Sequence, residues 1–426
     1  MDADAIVIGG GAAGLAAARR LAERSLRVIL LEARERLGGR VWSRPAARAA
    51  IPAELGAEFI HGRAHETMAL LREAGTSTIP TTGDSPFKSA PNIFEVAQSL
   101  REDESVERFL QRFEGDEGMR QIAALARAFV EGFDAADPAI ASVRGIADEW
   151  KSGVDSSSAR PRGGYGPMFD HLIDACIAAG AELRRSSVVR KIAWRRGSVA
   201  VDVEDGGEAK TLRARAAIVT LPISILRRAG DDLDIVFDPA LPPAKRAAIA
   251  GIEMGHVVKV ALWFKTAFWE RVDEGRYRDA SFMHREDHAF PAYWTQFPVR
   301  STLVVAWAGG PKAIALQGLS QPDILDRALG GFGALLEQPE LVHREFERGL
   351  MHDWNRDPFS RGAYSYVAVG ATGARAALAK PLNKTLFFAG EATSTDGQGG
   401  TVNGALHTGE RAAAEAAAAL RTKANV

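Results

Sequence analysis

Three glycines near the start of the chain have the spacing of a phosphate-binding turn. Gly9, Gly11 and Gly14 follow a short apolar run, Ala5 to Ile8, and lead into an alanine-rich stretch. The first glycine allows a tight turn, the second lets backbone approach a pyrophosphate, and the third allows close packing of helix on strand. We expect the turn to end at a helix N-terminus, which attracts anionic phosphate.

An acidic residue follows at the distance that such a turn requires. Glu32 comes after a second apolar stretch, Arg27 to Leu31, and lies eighteen residues beyond Gly14. A carboxylate there accepts hydrogen bonds from ribose hydroxyls and repels a 2′-phosphate. Strand, glycine turn, helix, strand and acid, in this order, predict a site for an adenine dinucleotide.

One lysine is embedded in an apolar run. Lys259 belongs to the predicted strand Val257 to Phe264, in which every other residue is apolar. A buried ammonium must find water or a partner, or lose its proton. Lys259 is therefore a candidate catalytic residue, and a lysine on the solvent face of an amphipathic strand is the alternative.

The elements that must hold these residues follow from the hydrophobic pattern. Strands rich in Val and Ile alternate with alanine-rich helices near both ends of the chain, which predicts an α/β fold with a Rossmann-like domain. Between them, Glu66 to Trp150 is mostly helical by pattern. Strands are predicted within Val257 to Phe264, Ser301 to Trp307 and Val342 to Glu347, with a helix at Asp323 to Leu336.

Composition excludes several classes of partner. The 426 residues, 46% of them hydrophobic and 25% charged, suffice for two or three globular domains. The net charge of −1 gives no uniform basic field, so we expect no nucleic acid partner. No apolar run reaches the roughly eighteen residues that cross a bilayer, and the first strand begins too early for a secretory signal. We expect no membrane association and a cytoplasmic location.

Two further features are interpreted as structural. The single cysteine, Cys176, has helical spacing from its apolar neighbours and is expected to be a buried thiol. The stretch MHREDHAF contains His284, Glu286, Asp287 and His288, but no other ligand pair has supporting spacing. We interpret it as a solvated polar loop and expect no metal.

The stretch after Glu32, ARERLGGRV, resembles the second dinucleotide motif of the flavin-containing amine oxidases, the family of the monoamine and polyamine oxidases. Its Gly38 and Gly39 allow a close backbone pass, and Arg40 can neutralise phosphate charge. Further stretches resemble the same family in its order along the chain: AELGAEFIHG from Ala53, PRGGYGPMFDHLIDAC from Pro161, VVRKI around Val189, AIVTLPISIL from Ala217, GHVVKVALWFKTAFW from Gly255, WNRDPFSRGAYS from Trp354 and LFFAGEATSTDGQGGTVNGALHTGERAA from Leu386.

The resemblance implies a discontinuous Rossmann-like FAD-binding domain with an α+β substrate domain. The FAD domain is expected to comprise residues 1–64, 160–240 and 355–426, and the substrate domain residues 65–159 and 241–354. Ala363 stands where monoamine oxidases carry the cysteine that bonds to the flavin, so FAD is expected to be noncovalent. The residues expected to contact FAD are Gly9, Gly11, Ala13, Gly14, Glu32, Ala33, Arg34, Gly38, Gly39, Arg40, Gly56, Ala57, Glu58, Phe59, Val189, Thr220, Trp354, Gly390, Glu391, Thr401 and Val402.

The resemblance also implies three catalytic residues. The family lysine that matches Lys259 holds a water against flavin N5 and promotes reaction of the reduced flavin with O2. Tyr364 matches the first of two aromatic rings beside the substrate nitrogen, whereas the second position falls on Thr401 or an adjacent glycine. His61 is similar to a histidine that polyamine oxidases place near the amine, where neutral imidazole accepts a proton or hydrogen bond. Glu58 is expected to add negative charge to the same wall.

These features predict an FAD-dependent amine oxidase. An uncharged amine would lose a hydride from its α-carbon to flavin N5, the imine would hydrolyse to an aldehyde or ketone, and O2 would become hydrogen peroxide. The expected substrate is a polyamine or another primary or secondary amine. Two alternatives stay open: an L-amino acid oxidase or other superfamily oxidoreductase, and a flavin-containing protein without catalysis, against which Lys259 argues. The sequence leaves the amine and the oligomeric state open.

Overall fold

A computed structural model describes residues 1–45, 51–81, 91–154, 157–227, 230 and 234–421, except the side chains of residues 91, 92 and 98. The helices are α1 Ala12–Ala22, α2 His65–Glu73, α3 Val106–Gln111, α4 Glu117–Gly132, α5 Val143–Lys151, α6 Gly166–Ala178, α7 Ile223–Leu226, α8 Pro243–Ala250, α9 Gly310–Ala315, α10 Gln321–Leu335, α11 Pro339–Glu345, α12 Ala374–Ala379 and α13 Val402–Arg421. The strands are β1 Ala5–Ile8, β2 Val28–Leu31, β3 Ser43–Arg44, β4 Ala53–Glu54, β5 Ile60–His61, β6 Thr78–Pro80, β7 Ser158–Pro161, β8 Glu182–Arg184, β9 Ser187–Arg195, β10 Ser198–Asp205, β11 Glu208–Ala214, β12 Ala216–Val219, β13 Val236–Asp238, β14 Ile252–Met254, β15 Val257–Phe264, β16 Phe282–His284, β17 Ala292–Trp294, β18 Leu303–Gly309, β19 Phe346–Met351, β20 Ser365–Val367 and β21 Leu386–Phe388.

Five strands form a parallel sheet with the order β21-β12-β1-β2-β8. Its strands come from both ends and the middle of the chain. In β1, Ala5 and Val7 pack with α1, α6 and α13, whereas Ile6 and Ile8 pack on the opposite face. Both faces are therefore covered, which explains why the strands are apolar throughout rather than alternating.

Small residues let α1 lie close to its neighbours. A Cβ atom added at Gly14 would come within 1.8 Å of the Gly9 carbonyl oxygen, and one at Gly409 within 2.2 Å of the Ala13 carbonyl oxygen. Cys176 of α6 is fully buried, its thiol donates to the Leu15 carbonyl 3.3 Å away, and burial raises its pKa to about 12. Cys176 is thus a buried thiol, as predicted.

A second sheet has a hydrophobic core of its own. Five strands form an antiparallel sheet in the order β16-β17-β18-β15-β19, and α10 packs on it. The strand predicted within Val342 to Glu347 is wrong in position, because this stretch belongs mainly to α11 and the strand begins at Phe346. Pro339 starts α11, since its fixed φ suits the first helical turn. Pairing with β15 then sets the register of β19.

Helix α2 packs with the parallel sheet although the predicted range 65–159 places it in the substrate domain. Leu70 and Leu71 lie in the same core cluster as α1 and α13. The backbone N–H of Thr67 also donates to the Asn403 side chain over 3.0 Å.

Within the described ranges, no helix has the length and apolar character needed to span a membrane.

Candidate active site

A cavity of about 790 Å³ is lined by residues of both the parallel sheet and the five-stranded antiparallel sheet. Its wall includes the carboxyl ends of β1 and β2, where open α/β sheets bind their ligands, and parts of β15 and β17. The predicted site residues all line this cavity except Gly14, which lies against the Gly9 backbone instead. Gly14 therefore acts through packing, whereas the other positions face the space that a ligand would fill.

A group of residues that we call the glycine cradle forms one part of the wall: Gly9, Gly11, Glu32, Gly38 and Gly39. The two glycine turns lie against each other, since the Gly38 N–H donates to the Gly10 carbonyl over 2.9 Å. A Cβ at Gly39 would come within 3.1 Å of the Gly11 Cα atom. Helix α1 begins at the cavity wall, which Ala12 and Ala13 line. Gly11, which precedes it, has no side chain to cap the N–H groups of the first helical turn. Backbone donors at a helix N-terminus fit a pyrophosphate.

Glu32 is held by the backbone around it. Its two carboxylate oxygens accept hydrogen bonds from the N–H groups of Gly10 at 2.8 Å and Arg34 at 2.9 Å. Each oxygen keeps further lone-pair capacity, which fits the hydroxyls of a ribose. Arg34 itself pairs with Asp357 and donates to Ser360, so it is tied to the protein.

Arg40 has a charged partner that is distant in sequence. Its guanidinium donates to the Ala363 carbonyl at 2.7 Å and to Glu391 at 2.9 Å. Burial alone would raise the pKa of Glu391, but the charges of Arg40 and Arg375 outweigh it and lower that pKa. This ion pair joins the second glycine turn to the C-terminal motif, and Arg40 also lines the cavity, so its expected contact with phosphate stays a prediction.

A helix N-terminus also reaches the wall from the C-terminal motif. The Thr401 hydroxyl accepts the N–H of Gly404 at 2.9 Å and so caps α13. Val402, the first residue of that helix, lines the cavity together with Gly390. The positive end of this helix dipole fits a ligand that carries partial negative charge.

A second group, the aromatic pocket, is formed by Phe59, His61, Phe133, Trp294 and Tyr364. Ring centroids lie 6.0 Å apart for Phe59 and His61, 5.0 Å for His61 and Phe133, and 5.5 Å for Phe59 and Trp294. The Tyr364 hydroxyl donates to the Phe133 carbonyl at 2.6 Å, and burial raises its pKa. This pocket presents apolar ring surface to a ligand.

Lys259 adjoins the aromatic pocket and is buried. Its ammonium lies 2.7 Å from a Glu58 carboxylate oxygen and donates to the Gly56 carbonyl at 3.1 Å. The other Glu58 oxygen accepts from Arg160 at 2.8 Å and from the Trp294 indole at 3.0 Å. Burial alone would raise the pKa of Glu58, but Lys259 and Arg160 outweigh it and lower that pKa to about 2. Glu58 is therefore ionised at pH 7. The negative charge that the sequence led us to expect on this wall is compensated by Lys259 and Arg160.

His61 lies half-buried on the cavity wall. Its Nδ1 atom is 3.2 Å from the Ser158 hydroxyl on the neighbouring strand β7. Burial lowers the pKa of His61 to about 4, so the imidazole is neutral at pH 7. A neutral ring in this position can accept a hydrogen bond from a ligand.

Hydrogen bonds to backbone carbonyls hold the side chains of Trp354 and Tyr364 in the cavity wall. The Trp354 indole donates to the Leu55 carbonyl at 2.7 Å, and its ring is both buried and part of the wall. A Cβ at Gly400 would lie 3.2 Å from the Tyr364 ring, so the residues near Thr401 offer backbone, and no second ring, to this side of Tyr364. Aromatic surface comes instead from Phe133 and Trp294, which the sequence analysis did not identify.

His284 also differs from its prediction. It lies on β16 and lines the cavity, where burial lowers its pKa to about 4, rather than in a solvated loop. Throughout the described part of the chain, no cluster of three or more His, Cys, Asp or Glu side chains is placed to hold a metal. Phe129 and Phe133 lie four positions apart in the stretch predicted to be helical, a spacing typical of a buried face, but nothing in the sequence indicated that this face borders the cavity.

Comparison with known proteins identifies relatives across the whole length. The family described as flavin containing amine oxidoreductase matches residues 12–95 and 87–417. Polyamine oxidase 4 of Oryza sativa subsp. japonica is 30% identical over 449 residues, which cover 96% of this chain and 88% of that protein. Lysine-specific histone demethylase 1 homolog 2 of the same plant is 27% identical, and the match covers all of this chain but 58% of that protein.

Solved structures share the fold. A putrescine oxidase bound to putrescine superimposes with a TM-score of 0.80 at 22% identity, covering 98% of this chain and 99% of that one. The cyclohexylamine oxidase from Brevibacterium oxydans IH-35A gives a TM-score of 0.79 at 21% identity, covering 99% of both chains. At this identity the likeness shows the fold alone.

Proposed function

Because the chain belongs to the family of flavin-containing amine oxidoreductases, it is an FAD-dependent oxidoreductase that acts on CH–NH groups, and we propose that it oxidises a small amine with O2 as acceptor. The observation that carries the proposal is the position of a buried lysine, Lys259, beside an aromatic pocket in the same cavity as the glycine cradle. The cradle would hold the dinucleotide, and the pocket would hold the amine.

Bound FAD would supply the redox chemistry, as the acceptor of a hydride from the α-carbon of the amine and the donor of electrons to O2, which would become hydrogen peroxide. The chain supplies binding and electrostatics. The backbone donors of Gly11 and α1 would hold the pyrophosphate, Glu32 the ribose, and the N-terminus of α13 a negatively charged part of the ring system. Ala363 offers no thiol for a covalent link, so we propose noncovalent binding.

The aromatic pocket would receive the amine in its uncharged form. His61, with a pKa of about 4, does not retain a proton at pH 7 and so serves as a hydrogen-bond acceptor that orients the substrate N–H. The Tyr364 and Trp294 rings would offer their faces to the N–H bonds of the neutral amine, and their surfaces would exclude water from the reacting carbon. Lys259 would place a positive charge near the site where O2 gains electrons.

A primary or secondary amine is the proposed substrate class. Polyamines are the first to be tested, because a relative at 30% identity is a polyamine oxidase. The pocket itself favours an apolar carbon chain next to the nitrogen, since Glu58 is neutralised by two cations and ring surface forms much of the wall. The product would be an imine that hydrolyses to an aldehyde or ketone.

The alternative of an L-amino acid oxidase has less support. Such an enzyme requires a cation for the substrate carboxylate. Among the wall residues that the structure describes, the arginines are Arg34 and Arg40, which pair with Asp357 and Glu391. Arg160 lies near the pocket, but its guanidinium is engaged by Glu58.

The test is an anaerobic titration of the FAD-loaded protein with an amine panel that includes putrescine, spermidine, cyclohexylamine and benzylamine. We expect at least one amine to bleach the flavin absorbance, and readmission of O2 to restore it with one hydrogen peroxide per flavin. L-amino acids serve as the matched comparison and should leave the absorbance unchanged. Bleaching by amino acids alone would replace this proposal with the alternative.

A further inference from the structure

Two buried glutamates four positions apart in sequence have opposite environments. Glu54 accepts hydrogen bonds from the Ser43 hydroxyl and the Tyr165 N–H, both at 2.7 Å, and burial raises its pKa to about 7. Glu58 instead contacts Lys259 and Arg160. The difference suggests that Glu58 has a task that a neutral carboxyl would not perform.

We propose that Glu58 is a positioning residue that fixes the Lys259 ammonium at the cavity wall and keeps it charged. The proposal rests on the function proposed above, because Lys259 is assigned there to the O2 step. It concerns the protein's own ion pair, so it can also be tested without turnover.

The geometry constrains the ammonium from several sides. Lys259 and Glu58 have side chains that are 3% and 5% exposed, and their charged atoms are 2.7 Å apart. The Gly56 carbonyl accepts from the same ammonium, and the Trp294 ring centroid lies 5.5 Å from it. With one hydrogen-bond acceptor and one counter-ion fixed by the protein, Lys259 has one preferred position at the wall.

Glu58 is itself immobilised. One of its oxygens accepts from Arg160 and from the Trp294 indole, while the other faces Lys259. Arg160 is 2% exposed, donates to the Thr295 carbonyl at 3.0 Å and lies 4.5 Å from the centroid of the Phe59 ring. The carboxylate thus bridges a cation on β7 and a cation on β15.

Removing the negative charge would leave two buried cations without a counter-ion. Burial and the charge of Arg160 would then both favour the neutral amine of Lys259 or its displacement toward water. Glu54, the other acid whose charge acts on this pair, is bound to the Ser43 hydroxyl and the Tyr165 N–H and does not contact the ammonium, so it cannot take over as the direct counter-ion. Loss of Glu58 should therefore make the function of Lys259 depend on pH.

The first experiment measures the lysine directly. Trace acetic anhydride labels lysines in their neutral form, and mass spectrometry of one digest compares Lys259 with the ion-paired surface residues Lys191 and Lys210. In apoprotein and in FAD-loaded protein, we expect Glu58→Gln to raise labelling of Lys259 by roughly 10-fold at pH 8, whereas the reference lysines stay unchanged. Glu54→Gln is the matched control, because it alters a buried glutamate that does not contact the ammonium.

The second experiment separates the two half-reactions by stopped flow between pH 6 and 9. We expect Glu58→Gln to slow reoxidation by O2 roughly 10-fold more than reduction by amine, with a new ionisation that disappears in the Glu58→Gln/Lys259→Met double variant. Trp294→Phe removes one hydrogen bond to Glu58 and keeps a ring, so it tests the same point if Glu58→Gln loses FAD. It should shift labelling in the same direction by roughly 2-fold.

Unchanged labelling of Lys259 in a folded Glu58→Gln or Trp294→Phe protein would overturn the proposal. So would an equal loss in both half-reactions with no new ionisation. If no amine in the panel reduces the flavin, the proposed function fails, but the labelling of apoprotein still decides the role of Glu58.

Discussion

The glycine cradle and the aromatic pocket belong to one cavity but are built differently. The cradle consists of the backbone of two glycine turns and the Glu32 carboxylate, all within residues 9–39, and its fit depends on the absence of side chains at positions such as Gly9 and Gly39. The pocket consists of side chains from separate segments, and at its border two cations share the carboxylate of Glu58. We therefore expect an added side chain to disrupt FAD binding at the cradle by steric overlap. Beside the pocket, we expect the loss of a charge to slow the reaction.

The largest effect is expected behind the cradle, where Gly14 of α1 packs on the Gly9 backbone. Gly14→Ala places a Cβ 1.8 Å from the Gly9 carbonyl oxygen, so β1 and α1 must separate. We expect the free energy of unfolding to fall by about 4 kcal/mol or more, and FAD to be lost. Thermal melts and the flavin absorbance of purified protein measure both. Gly330→Ala in α10 is the control, since its Cβ meets nothing within 4 Å, and it should change stability by less than about 1 kcal/mol. Full FAD content in Gly14→Ala would show that FAD binding does not require the close packing of α1 on β1.

Next comes the charge beside the pocket. Lys259→Met keeps the length of the side chain and removes its ammonium, so FAD should remain bound while reoxidation by O2 slows by about 10²–10³. Stopped-flow mixing of reduced protein with O2 gives this rate. Lys245→Met is a matched control, because Lys245 is equally buried but donates to the carbonyls of Ala377, Leu378 and Lys380 away from the cavity. Equal reoxidation rates in wild type and Lys259→Met would show that the charge has no such role.

A third prediction concerns pH. The folded-state pKa of Glu54, about 7, exceeds its usual value of 4.5 mainly because of burial, although Ser43 and Tyr165 oppose the shift. Its stabilising contribution is fully present below pH 4.5 and is lost as the pH rises through 7. Glu54→Gln should remove a pH dependence of about 3 kcal/mol over this interval. Urea unfolding at pH 4.5 and 7.5 tests this, and identical pH dependence in both proteins would refute the assignment.

The smallest effect is expected for a hydroxyl in the pocket. Tyr364→Phe keeps the ring and removes the donor to the Phe133 carbonyl, which should cost about 1 kcal/mol of stability. The rate of flavin reduction should change by less than about threefold, because the ring face is retained. Tyr364→Leu, which removes the ring, is the informative contrast. A larger loss in Tyr364→Phe than in Tyr364→Leu would mean that the hydroxyl itself takes part in the reaction.

The cradle was predictable because its signals are local. Gly9, Gly11 and Glu32 occur at fixed spacing around one strand–helix–strand unit, and the family, the fold class and the FAD cofactor predicted from them and from the C-terminal signature are confirmed. Spacing also predicted that Gly14 serves helix–strand packing, which the 1.8 Å overlap explains.

The partners of charged residues were not predictable in the same way. Arg40 pairs with a residue 351 positions away, and Glu58 with Arg160, 102 positions away. Such pairs depend on how segments that are distant in sequence meet in the tertiary structure, which no short spacing encodes. His284 was interpreted as solvated for the same reason, since its polar neighbours hide the fact that β16 borders the cavity.

Anaerobic reduction of the FAD-loaded protein by amines is the most direct test of the whole account. We expect the bound flavin to be bleached by at least one primary or secondary amine and to recover its colour with stoichiometric hydrogen peroxide when O2 is admitted. A flavin that stays oxidised in the presence of every amine, in protein fully loaded with FAD, would contradict the assignment of the aromatic pocket to amine oxidation.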